Sequence, residues 1–141
     1  MPESPVNTFQ RTLASQLAVL FSGVPVDQEW AAMRDENGVY SPRLDVAVGP
    51  FAFGDSIHVV AFDRQLEKYD GFCRCLYRHH VQTLIENATP DQPLEYEYVV
   101  SRNSNARCFL AFEIENRVSR KHLMGGAINA ASLGRIGIVV G

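Results

Sequence analysis

The stretch Phe109-Leu-Ala-Phe-Glu113-Ile-Glu115-Asn-Arg117 constrains this chain more than any other. Side chains alternate along a strand, so Leu110, Phe112 and Ile114 point one way and Phe109, Ala111, Glu113 and Glu115 the other. Phe109 and Ala111 make the second face apolar as well, which predicts a strand covered on both sides. Two carboxylates at the end of such a strand repel each other and lose hydration. They stay ionised only beside compensating positive charge, from a metal ion or basic side chains. The plainer alternative is a strand end emerging into solvent, its acids paired to Arg117 or Arg120.

The remaining pattern puts this strand in a layered fold. Phe9, Leu13, Leu17, Leu20 and Phe21 recur at helical spacing and predict a helix over 6–22, capped by Asn7 or Thr8 and stopped at Gly23 and Pro25. Residues 27–38 are polar and end in the turn signal Asn37-Gly38. Val39 to Val48 reads as a strand closed by Gly49-Pro50, and Ser56 to Phe62 as another. A wide apolar face predicts one long helix from about Arg64 to Asn87. Leu94 to Val100 and Arg107 to Glu115 predict an antiparallel hairpin. Ser119 is the natural N-cap of a helix over about 120–133 with Leu123, Ala127 and Ala131 on one face, and Gly134 its C-cap. Gly125-Gly126 weakens that helix and suggests close approach to a sheet. Ile136 to Val140 is a short apolar strand expected to be fully buried. The expectation is an α/β (α+β) fold in one domain, residues 1–141. It has a mixed β-sheet flanked by helices, with a helical insertion at about 64–88. The step from Phe109 to Val140 is expected to join two parallel strands through a helix.

Charge and composition exclude some functions. A net charge of −3 requires any nucleic-acid contact to be a local basic patch. No apolar run approaches the roughly 20 residues of a membrane helix. Met1-Pro-Glu-Ser-Pro lacks the basic start and apolar core of a signal peptide, so a cytoplasmic setting with free thiols at Cys73, Cys75 and Cys108 is expected. On a helix Cys73 and Cys75 point to nearly opposite sides. Cys73-Arg-Cys75 with His79-His80 is therefore a poor zinc site. Trp30, Tyr40, Phe51 and Phe53 read as core or rim rather than as a base-stacking platform.

A third acid completes a possible site. Asp45 lies inside the apolar strand Leu44-Asp-Val-Ala-Val48, pointing away from Leu44, Val46 and Val48. Carboxylates converging from two neighbouring strands suit a hard divalent cation such as Mg²⁺, with the Ile114 carbonyl as a further ligand. Arg43, Arg117, Arg120 and Lys121 crowd the same motifs and suit a phosphate-bearing partner.

Pro42-Arg-Leu-Asp45, the strand bearing Glu113-Ile-Glu115, and the helix and apolar strand that follow resemble the PD-(D/E)XK nuclease superfamily, with its restriction-endonuclease-like fold. The likeness covers about 39–140, less an inserted segment at about 51–93. It implies Asp45 and Glu113 as ligands of Mg²⁺ or Mn²⁺ and hydrolysis of DNA phosphodiesters. The motif's usual lysine is replaced by Glu115, which would position water or a second cation. Lys121, in the next helix, is the candidate relocated lysine. That family's first helix often supplies another acid; residues 6–22 hold none, leaving Gln10 or Gln16 to contact a metal-bound water, and Asp27 or Glu29 as substitutes. Two alternatives stand beside this one. One is a non-catalytic module of the same fold for binding or assembly, as a homodimer through the 64–87 helix. The other is an enzyme of a small phosphate-containing molecule.

Overall fold

A computed structural model of the chain describes residues 1–32, 42–53, 58–88, 92–116 and 119–141. Helix α1 (Pro5–Leu20) starts where Ser4 Oγ accepts a hydrogen bond from the Asn7 N–H at 3.2 Å, so Ser4 is the cap rather than Asn7 or Thr8. Pro5 occupies the first turn, where a missing N–H breaks no helical bond. Its inward face is Gln10, Ala14 and Leu17, followed by Phe21, one position round from the Phe9-based stripe expected; Phe9 is 45% exposed. That rotation brings a polar amide, not a phenyl ring, onto the sheet.

Four strands follow the order β1 (Val26–Ala31), β2 (Arg43–Val48), β3 (Cys108–Ile114), β4 (Gly134–Val140). The first two contacts are antiparallel and β3 pairs with β4 in parallel, through α5 (Arg120–Leu133). The fold is therefore α+β with a mixed sheet flanked by helices. β3 is buried along its length until Ile114, as its doubly apolar pattern predicts. On one face Val46, Val48, Leu110 and Phe112 meet Ala14, Leu17, Phe21 and Phe62. On the other, Ala47 and Ala111 meet Ala130 and Leu133 of α5, with Trp30 stacked on Phe51 at 4.8 Å.

Several expectations are corrected. Residues 26–31 form a strand instead of a polar turn; only Trp30 of β1 is buried, so an edge strand left no alternating signal. Tyr40 and the Asn37-Gly38 turn lie outside the described residues. Of the strand expected over 56–62, residues 59–62 are instead the start of α2 (Val59–Lys68), which buries a single side chain, Phe62, and residues 56 and 57 lie outside the described residues. The long helix is interrupted at Tyr69, where α3 (Asp70–Glu86) begins; the Tyr69 ring packs 4.2 Å from that of Phe21. Leu94 to Val100 makes no hairpin, because both edges of β3 are already taken by β2 and β4; residues Tyr96–Ser101 form the short helix α4. α5 has its Ser119 cap, but its inward face is Gly126, Ala130 and Leu133, not Leu123, Ala127 and Ala131. β4 is an edge strand, half-buried from Ile138 to Val140 rather than enclosed.

Two polar side chains tie the inserted helices to the sheet. Arg135 of β4, 7% exposed, donates from Nε to the Val100 carbonyl of α4 and from Nη2 to Asp63 Oδ1 of α2 at 2.7 Å. Asn103 Nδ2 donates to the carbonyls of Ala131, Ser132 and Gly134, satisfying acceptors at the end of α5. Cys73, Cys75 and Cys108 are free thiols, and no described helix is long and apolar enough to cross a membrane.

Candidate active site

The β2–β3 register pairs Val46 with Phe112 and Ala47 with Ala111, so one further step sets Asp45 opposite Glu113. Both share the face of Ala47 and Ala111, under α5. The Ile114 N–H donates to Asp45 Oδ2 at 2.7 Å, so a side chain continues the ladder where the backbone pairing stops. A residue's N–H and C=O leave a strand toward the same edge, which directs the Ile114 carbonyl to the Asp45 side as well.

Glu113 is 8% exposed, and its Oε1 has no hydrogen-bond partner. An orphaned buried acceptor is rare in a folded protein and calls for a reason. Burial pushes the Glu113 carboxyl from the ordinary 4.5 up to about 8; the Asp45 carboxylate beside it adds to the rise, and the Asn129 side chain of α5 works against it. Glu115 is half-buried and its N–H donates to the Val140 carbonyl at 2.8 Å. Its carboxylate fits because residue 126 is glycine. A Cβ there would stand 3.0 Å from Glu115 Oε1 and 3.3 Å from Glu113 Cβ. The sequence flagged a close approach at Gly125-Gly126; only Gly126 makes it, as Gly125 has open space around it.

A second arm comes from the opposite face. Gln10 of α1, 6% exposed, donates from Nε2 to the Asp45 carbonyl at 2.7 Å and to Glu29 Oε1 at 2.9 Å. Of the alternatives raised from the sequence, Gln16 and Asp27 are exposed and make no such bridge. Asn129 had no signal in the sequence beyond its place one turn after Gly126.

The basic residues are not drawn in. Lys121, Arg120 and Arg43 are exposed. Lys121 precedes Gly126 by five positions, roughly 140° round the helix from the site-facing side. Arg117 lies outside the described residues. Among the described residues the ion pairs are Glu3–Arg11, Asp70–Arg74 and Asp63–Arg135, none involving Asp45, Glu113 or Glu115. A shallow groove of about 240 Å³ opens beside Glu115, walled by Pro5, Val6, Phe9, Ile114 and Val140.

Two carboxylates and a main-chain carbonyl suit a hard divalent cation, and the orphaned Glu113 oxygen is the kind of atom such an ion satisfies. Among the described residues no group of three or more His, Cys, Asp or Glu side chains is arranged to hold a metal. Comparison with protein-family models, curated protein sequences and solved structures finds no match.

Proposed function

We propose that the chain is a metal-dependent phosphodiesterase of the PD-(D/E)XK kind, acting on DNA with Mg²⁺ or Mn²⁺ held by Asp45, Glu113 and the Ile114 carbonyl. The observation that carries the reading is the buried, unpartnered Glu113 Oε1 beside a second carboxylate. The element order supports it: α1 and β1, the Asp45 strand, the Glu113 strand, then α5 and the parallel β4, with α2 to α4 inserted between β2 and β3. A divalent ion bound there would polarise a phosphoryl oxygen and acidify a bound water. Asp45 is held for this by the Ile114 N–H, and Glu113 by burial under α5. Glu115, nearer solvent, accepts a hydrogen bond from the attacking water and orients it. Arg43, Arg120 and Lys121 stand on the surface as phosphate contacts. The three free thiols support a cytoplasmic setting.

A non-catalytic module of the same fold is favoured by one feature: the usual lysine is Glu115, and Lys121 projects to solvent. Incubation of supercoiled and single-stranded DNA with Mn²⁺ or Mg²⁺ separates the readings, with Glu113→Gln alongside. Metal-dependent cleavage by wild type, lost in the variant, is the expected result. Mn²⁺ binding by calorimetry without cleavage would leave the module; neither cleavage nor binding would sink both the metal site and the nuclease.

A further inference from the structure

The β1–β2 register runs Gln28 with Val46 and Trp30 with Leu44, and skips the pair between them, Glu29 with Asp45. Glu29 has φ of 49°, in the left-handed region that a non-glycine residue enters only under constraint. The side-chain amide of Gln10 occupies the gap. It donates to the Asp45 carbonyl and to the Glu29 carboxylate, and is nearly fully buried while doing so. Both hydrogens of that NH₂ are therefore committed to protein acceptors.

We propose that Gln10 is a positioning residue: its amide replaces the missing ladder contact and fixes the Asp45 backbone, and so sets where the Asp45 carboxylate stands against Glu113 and Ile114. Asp45 is then gripped at two points, its carbonyl from α1 and its Oδ2 from β3. Glu29 serves as the second acceptor that keeps the amide from rotating. The functional meaning of this device rests on the reading of Asp45 and Glu113 as a metal site, but the device itself can be tested without metal.

The Ile114 amide reports on it, because that N–H donates to Asp45 Oδ2. Site-resolved hydrogen exchange on the full-length chain, metal-free, compares wild type with Gln10→Met, which keeps length and burial but removes both donors. Ile114 should lose protection by roughly tenfold or more, while Ala111 and Phe112 in the same strand keep theirs after correction for global stability. Glu29→Gln, which retains an acceptor oxygen, should leave Ile114 as in wild type. A uniform loss along β3 in Gln10→Met would overturn the proposal, since that is what a purely structural contact gives. So would an Ile114 loss in Glu29→Gln, which would assign the effect to the Glu29 charge. Mn²⁺ calorimetry on the same samples keeps the two ideas apart. Wild type that binds no Mn²⁺ refutes the metal site, whereas intact Mn²⁺ affinity in a Gln10→Met protein with a loosened Ile114 refutes the positioning role.

Discussion

Glu113→Gln should stabilise this protein at alkaline pH and hardly at all in acid. Burial and the neighbouring Asp45 raise the Glu113 carboxyl from 4.5 to about 8. Between those values the folded chain holds a proton that the unfolded chain has lost, so stability is full below about pH 4.5 and falls as pH rises toward 8. At ~1.4 kcal/mol per pH unit the shift sets a ceiling of about 5 kcal/mol. Water and backbone relaxation at a strand end reduce this, and a decline of about 2–3 kcal/mol is the expectation. Glutamine has the same shape and no charge, so the variant should lack the decline. Urea unfolding at pH 5, 6.5 and 8 in chelator measures it, with the fluorescence of Trp30, the only tryptophan, as the probe. Wild type should lose stability across the series while Glu113→Gln stays level. Parallel curves for the two proteins would refute the argument, because they would mean Glu113 ionises as freely in the fold as out of it.

Two further comparisons probe other parts of the architecture. Gly125→Ala, with open space at its Cβ, should raise stability by about 0.5–1 kcal/mol through helix propensity, whereas Gly126→Ala, 3.0 Å from Glu115 Oε1, should gain nothing or lose stability; thermal melts of the pair decide it. Arg135→Ala should cost about 2–4 kcal/mol in urea unfolding by leaving the Val100 carbonyl and Asp63 without their donor, while Asp63→Asn, at a position 54% exposed, should cost less than 1; equal losses would argue against the carbonyl bond as the main contribution.

What the sequence disclosed and what it hid follow one rule: elements defined by their own faces were legible, and those defined by neighbours were not. β3 carries apolar residues on both faces, and the cap at Ser119 and the stop at Gly134 bracket α5, so the step from β3 through α5 to β4 could be read directly. β1 could not, because an edge strand with one buried side chain resembles a polar loop. The alternation Leu94, Tyr96, Tyr98, Val100 mimics a strand, and only the occupancy of both β3 edges rules one out. The candidate site divides the same way. Asp45, Glu113 and Glu115 stand out as acids in apolar strands. Gln10 is raised only through the family resemblance and Asn129 not at all, because helix rotation and packing bring both to the acids and no local pattern encodes that.

The Arg135 clasp bears on how the chain folds as it is made. Its partners Asp63 and Val100 precede it by 72 and 35 residues. At translation rates of roughly 5–20 residues per second, the Asp63 side of α2 waits several seconds for its guanidinium. Late in that interval β3 emerges with one edge bare, since β4 and Arg135 arrive together. The strand that closes the sheet and the side chain that anchors the inserted helices thus reach the nascent chain in one short segment, so sheet closure and the locking of α2 and α4 become a single late event.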